Sequence, residues 1–159
     1  MTGRRLAVLP AFVVLCLAVG AAGALATASS VSTWYPGLNK PSWTPPASWF
    51  GPVWTMLYVL VAIAGWRVWC AAPGPDRGRA LALWVVQLGL NVLWSPLFFG
   101  MRAPGLALVD IVLLAASIVA FVVTAWPTSP VAALLFVPYA VWVGFATALN
   151  AAIWRMNRG

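Results

Sequence analysis

The chain has 159 residues, 64% of them hydrophobic, with nine basic residues, two carboxylates and no histidine. At roughly 20 apolar residues per membrane span, this composition fits one compact all-α integral membrane domain of about five helices and leaves little for a soluble core. It excludes histidine-dependent triads and histidine metal sites, and Cys16 and Cys70, both in apolar stretches, support neither a zinc cluster nor a disulfide framework.

The net charge of +7 is spread over single or paired basic residues at the ends of apolar runs. Without a basic stripe it points to headgroup anchoring in a lipid bilayer and not to nucleic acid. The first apolar run covers 6–28, behind Arg4 and Arg5. It exceeds the roughly 7–15 residues of a signal-peptide core, so it is expected as a retained helix. Further helices are expected over 47–70, 79–99, 105–126 and 131–154, each long enough to span. The joints 71–78, 100–104 and 127–130 are short and rich in proline or glycine, as helical hairpins require. The segment 29–46 differs. It carries Pro36, Pro41, Pro45 and Pro46 together with Trp34, Tyr35 and Trp43, an aromatic content that predicts a structured lid over one end of the bundle and not a disordered linker. Basic residues divide as Arg4, Arg5, Arg67, Arg77 and Arg79 at one end against Lys40, Arg102, Arg155 and Arg158 at the other, a split that assigns no membrane orientation.

Within the spans, Trp84, Gln87, Asn91, Trp94 and Phe98 recur at three- and four-residue intervals, which puts them on one helical face. The fifth helix repeats the mixture with Pro138, Trp142, Phe145, Ala146, Leu149 and Asn150, and the second offers Trp54, Leu57, Tyr58 and Val61. Each amide alone reads as interhelical glue; taken with eleven tryptophans, the three stripes read as an aromatic pocket with a few placed polar groups. Pro96 and Pro138 each remove a backbone donor and free a carbonyl, at Val92 and Leu134, as a kink that widens the bundle or as a tolerated bend. Asp110 falls early in the fourth helix, where an interfacial or capping role suits a carboxylate better than a proton relay. Gly20, Gly23, Ala24 and Gly89 permit close helix contact.

Trp34-Tyr35, the run Leu38-Asn39-Lys40-Pro41-Ser42-Trp43-Thr44-Pro45-Pro46, and Gly51-Pro52-Val53-Trp54 with Leu57-Tyr58 form a distinctive series. It continues through Gln87-Leu88-Gly89-Leu90-Asn91, Trp94, Pro96, Phe98-Phe99-Gly100 and Ala107-Leu108-Val109-Asp110. It closes with Pro138-Tyr139, Trp142, Phe145-Ala146-Thr147, Leu149-Asn150 and Trp154-Arg155. The series resembles the TspO/MBR family over nearly the whole chain from Trp34 onward. The resemblance implies a five-helix bundle, usually a homodimer, in a bacterial cell membrane. It also implies a pocket beneath the first loop for porphyrins such as protoporphyrin IX, for sterols and for benzodiazepine-type ligands. By position, that pocket is lined by Trp34 and Tyr35 from the loop, Phe50, Trp54 and Tyr58 from the second helix, Asn91 and Trp94 from the third, and Trp142, Ala146 and Leu149 from the fifth. Lys40 or a backbone donor in the loop is the expected partner of a ligand propionate. Alanines stand where the family's sterol pattern has a tyrosine before Arg155, which places porphyrin ahead of sterol.

Three function classes follow from the resemblance. A receptor or sensor binds the tetrapyrrole; a transporter moves it; an enzyme degrades it in light, with Trp34 and Trp142 as the reactive rings. The chain has no phosphate-binding loop and only Asp110 as a membrane carboxylate, so no energy-coupling device is legible. Binding, without a resident cofactor or metal, is the base expectation. Trp34, Trp54, Trp94 and Trp142 are assigned to the pocket and Trp66, Trp69, Trp126 and Trp154 to the interfaces, with Trp43, Trp49 and Trp84 open.

Overall fold

A computed structural model describes residues 5–158; Arg4 lies outside the described residues. Five helices are long and apolar enough to cross a membrane: α1 (Leu9–Thr33), α2 (Phe50–Cys70), α3 (Pro75–Ser95), α4 (Pro104–Ala125) and α5 (Pro130–Met156). The helix α1 packs on α2 and α3, α2 on α5, α5 on α4 and α4 on α3. The five therefore close into a ring in the spatial order 1-2-5-4-3. Trp66 Nε1 donates to the Arg5 carbonyl at 2.9 Å, which fixes the chain start and the end of α2 at the same end of the bundle.

Two boundaries differ from the sequence expectation. The first helix does not stop at 28 but runs to Thr33, because its polar end satisfies itself. Thr27 Oγ1 donates to the Gly23 and Ala24 carbonyls at 3.1 and 2.9 Å, and Thr33 Oγ1 to the Ser29 carbonyl at 2.6 Å. Hydroxyls bonded back to their own helix do not break it. The stop is supplied by Pro36, which has no N–H to donate to the carbonyl four residues back. The loop is thereby shortened to begin at Trp34, with single helical turns at Tyr35–Gly37 and Ala47–Trp49. The third helix begins at Pro75, not near 79: proline at the first helical position lacks only a donor that is unpaired there anyway, and Asp76 in the first turn complements the helix dipole.

Pro96 widens the end of α3 into a π-helical turn over Pro96–Gly100. The Met101 N–H reaches back to the Pro96 carbonyl at 2.8 Å and the Ala103 N–H to the Leu97 carbonyl at 3.0 Å. This wider turn carries Phe98 into the interior, 2% exposed, and presents the Phe99 carbonyl to Ser30 Oγ of α1 at 2.8 Å. Pro138 behaves differently. It is exposed on the outer side of an unbroken α5, so it contributes no side chain to the interior stripe.

Close approach depends on glycine at Gly20, Gly65 and Gly105; a Cβ at Gly105 would stand 2.8 Å from the Trp154 indole nitrogen. A Cβ at Gly20 would stand 2.7 Å from the Tyr58 ring, and one at Gly65 would collide with the Trp84 indole. Gly89, expected to permit a close contact, faces open space within the chain. Overpacking a filled interior costs about 1–3 kcal/mol. Gly65→Ala is therefore expected to lower the thermal midpoint of the purified protein clearly, while Gly89→Ala leaves it unchanged or raises it; equal effects of the two would contradict the packing described.

Candidate ligand site

The centre of the ring is crossed by one directed chain of hydrogen bonds. The Tyr58 hydroxyl of α2 donates to Asn91 Oδ1 of α3, Asn91 Nδ2 donates to the Tyr139 hydroxyl of α5 at 2.9 Å, and that hydroxyl donates to Gln87 Oε1 at 3.0 Å. Gln87 Nε2 then donates to the Trp84 carbonyl at 2.9 Å, and Trp84 Nε1 to the Val61 carbonyl at 2.8 Å. Asn91 and Tyr58, both among the expected ligand contacts, thus spend their polar atoms on holding three helices together. They form the floor of the site. Asn150 plays a similar part at its side: its Oδ1 accepts from Trp94 Nε1 at 3.0 Å and its Nδ2 donates to the Pro104 carbonyl at 2.8 Å, which fixes the Trp94 ring.

Above this floor the aromatic residues form two groups. Trp34 and Trp94 both meet Phe98, with ring centroids at 5.8 and 5.1 Å, and Tyr35 packs on Phe98 and Phe99 at 6.4 and 5.7 Å. In the second group Trp142 lies between Phe50 and Phe145 at 5.8 and 5.6 Å, and Trp43 of the loop closes on Phe145 at 5.7 Å. Trp54 rests on Tyr58 and Tyr139 at 5.5 and 6.2 Å. Trp34, Tyr35, Phe50, Trp94 and Leu149 belong to one apolar cluster with Phe98 and Ile153. Trp54, Tyr58, Trp142 and Ala146 belong to the neighbouring core, and Trp94 packs on both. The rings fill the space between them with one another.

One polar atom in this aromatic shell has no partner. The Trp142 Nε1–H is buried without an acceptor; among the described residues the only other such side-chain atoms are both carboxylate oxygens of Asp110. Asp110 is 5% exposed on the interior face of α4, and α4 carries no side-chain cap at its N-terminus. The capping role expected for it is not what the structure shows.

The loop is stapled, not loose. Lys40 Nζ donates to the carbonyls of Tyr35, Leu38 and Pro36 at 2.8, 2.9 and 3.2 Å and lies 4.8 Å from the Tyr35 ring centroid. An ammonium has three protons, and all are committed, so Lys40 holds the loop and is not free for a ligand acid as expected. Asn39 and Asn157 exchange two bonds, the Asn39 N–H to Asn157 Oδ1 at 3.0 Å and Asn157 Nδ2 to the Asn39 carbonyl at 2.9 Å. Burial pushes the Tyr35 phenol above its ordinary range, so it remains a neutral donor at physiological pH.

Of the three open tryptophans, Trp84 is core, 4% exposed, while Trp43 and Trp49 are 48% and 62% exposed on the loop. Trp69 and Trp126 are exposed near helix ends, and Trp154 packs under the Arg158 guanidinium at 4.0 Å. Asn157 is not legible in the sequence as a functional residue, since its role lies in a contact with Asn39 across the length of the chain.

A ring of five membrane-crossing helices, with a buried amide and tyrosine floor and an aromatic shell closed by a stapled loop, defines a polytopic membrane protein with an interior built for apolar contact. Comparison with known proteins is specific. The TspO/MBR family model matches residues 12–155, and the chain belongs to that family. It is 45% identical to the tryptophan-rich protein TspO of Archaeoglobus fulgidus, over 94% of this chain and 96% of that one. It is 43% identical to the translocator protein of Homo sapiens over 79% and 76% of the two chains. With the tryptophan-rich sensory protein of Cereibacter sphaeroides it shares 38% identity over 87% and 88%. It is a multi-pass integral membrane protein.

Removing the Tyr139 hydroxyl strands Asn91 Nδ2 and Gln87 Oε1 in the interior, a loss of about 1–3 kcal/mol. Tyr139→Phe is expected to lower the thermal midpoint while Tyr35→Phe leaves it nearly unchanged, as followed by tryptophan fluorescence on heating. Tyr139→Phe melting with the parent would show that the hydrogen-bonded chain does not hold the bundle.

Proposed function

We propose that the protein is a membrane receptor or sensor for flat apolar ring systems, tetrapyrroles such as protoporphyrin IX first, held between the stapled loop and the aromatic faces of α2, α3 and α5. The observation that carries this reading is Trp142. Its ring sits between Phe50 and Phe145, and its N–H is the one indole donor among the described residues that is fully buried with no acceptor, whereas Trp84 and Trp94 are bonded. A ligand that slides between these rings meets offset or edge-on aromatic contacts, each pair contributing about 0.5–1.5 kcal/mol. A nitrogen or oxygen acceptor on its rim satisfies the indole. Trp43 and Phe50 stand at the two ends of the loop side of this shell, so occupancy parts Trp43 from Phe145 and strains the Asn39–Asn157 staple. That displacement is the signal a receptor needs, because a ligand shifts an equilibrium only through contacts that differ between its states.

The family resemblance supports a homodimer and a place for sterols and benzodiazepine-type ligands in the same shell, with sterol behind porphyrin for want of a tyrosine before Arg155. Transport and light-driven degradation through Trp34 and Trp142 both presuppose this occupancy.

Titration with protoporphyrin IX is expected to quench tryptophan fluorescence saturably. Trp142→Phe keeps a ring but removes the N–H, and the loss of one hydrogen bond of about 1 kcal/mol corresponds to roughly fivefold weaker binding. Quenching that rises without saturation, in parent and variant alike, would remove the pocket from consideration.

A further inference from the structure

Beside the loop the surface opens into a cleft of about 290 Å³ lined by Thr33, Trp34, Gly37, Leu38 and Arg102. Arg102 sits in the connection between the π-helical turn and α4, with a left-handed backbone at φ 52°. Its guanidinium donates no hydrogen bond and joins no ion pair among the described residues; the one ion pair there is Arg79 with Asp76, at the other end of the bundle. Trp34 is common to the cleft and to the aromatic group, since its ring meets Phe98 at 5.8 Å. Of the four cations at the loop end, Lys40 is saturated by three carbonyls, Arg158 stacks on Trp154, and of Arg102 and Arg155 only Arg102 lines the cleft.

We infer that this cleft is the acid-binding subsite of the receptor, in which Arg102 takes a carboxylate carried by a ligand whose flat body lies against Trp34. The inference rests on the pocket reading above and gives it a chemical class: an apolar ring system bearing at least one flexible acidic arm. A guanidinium at the rim suits that arm because it offers a planar fork of donors matched to both carboxylate oxygens. Arg102 is exposed and lines the cleft that shares Trp34 with the aromatic group. The same geometry makes neutral ligands poorer ones without altering the aromatic contacts.

The test compares protoporphyrin IX with its dimethyl ester, on the full-length protein in zwitterionic phosphatidylcholine nanodiscs so that lipid anions do not compete. Arg102→Asn removes the cation and suits the left-handed backbone, which asparagine tolerates; Arg102→Lys keeps the charge and loses the fork. Loss of one charge-assisted pair predicts about tenfold weaker binding of the diacid to Arg102→Asn, an intermediate loss for Arg102→Lys, and unchanged binding of the ester to both. A diacid-to-ester preference that is the same in the parent and in Arg102→Asn overturns the inference while leaving the pocket standing. A parent protein that binds neither compound overturns the pocket reading, and this inference with it.

Discussion

Inside hydrocarbon a polar side chain has no water to bond, so every donor and acceptor placed there must be answered by the protein itself. The interior of this bundle is organised by that constraint. Tyr58, Asn91, Tyr139 and Gln87 pass one hydrogen bond to the next across α2, α3 and α5, and each bond between spans contributes about 0.6–2 kcal/mol. The apolar effect that drives soluble folding is weak between helices already in lipid. Directional bonds and close packing therefore set which helices meet. Gly65 serves the same end: only a residue without a side chain lets the Trp84 indole reach the Val61 carbonyl.

From this floor the rest follows outward. Asn150 ties α5 to the start of α4 and orients Trp94. Trp94 stacks on Phe98, which the π-helical turn has carried inward, and Phe98 receives Trp34 from the loop. The loop itself is held by Lys40 within and by Asn157 from the far end of the chain. Against this pairing, the buried side-chain atoms left unanswered among the described residues are the two Asp110 oxygens and Trp142 Nε1, and of these the receptor reading assigns the indole donor, set in the aromatic shell, to a ligand.

Much of this architecture is legible in the amino-acid sequence. Composition and run length suffice for five spans, because a bilayer of fixed thickness demands helices of fixed length, and the three- and four-residue recurrence of Gln87, Asn91, Trp94 and Phe98 places them on one face. Periodicity does not say which polar residues are spent on each other. Asn91 and Lys40 look in sequence like free ligand contacts, and only the positions of Tyr58, Tyr139 and the loop carbonyls show them committed. The end of α1 is misread from sequence because serines and threonines signal a loop in water, whereas here they bond their own helix. Asp110 and Pro138 trade sides for a similar reason: distance from a helix end ranks residues along the axis and is silent about which face they occupy.

The fold answers its interior donors and, on the receptor reading, reserves Trp142 Nε1 for a ligand. Indole nitrogen-proton resonances of the protein in lipid nanodiscs, assigned by single tryptophan-to-phenylalanine substitutions, test this directly. On saturation with protoporphyrin IX the Trp142 signal is expected to shift strongly in the sense of a newly donated hydrogen bond, while the Trp84 signal, already bonded to the Val61 carbonyl, stays in place. A Trp142 signal that does not move at saturation would contradict the account.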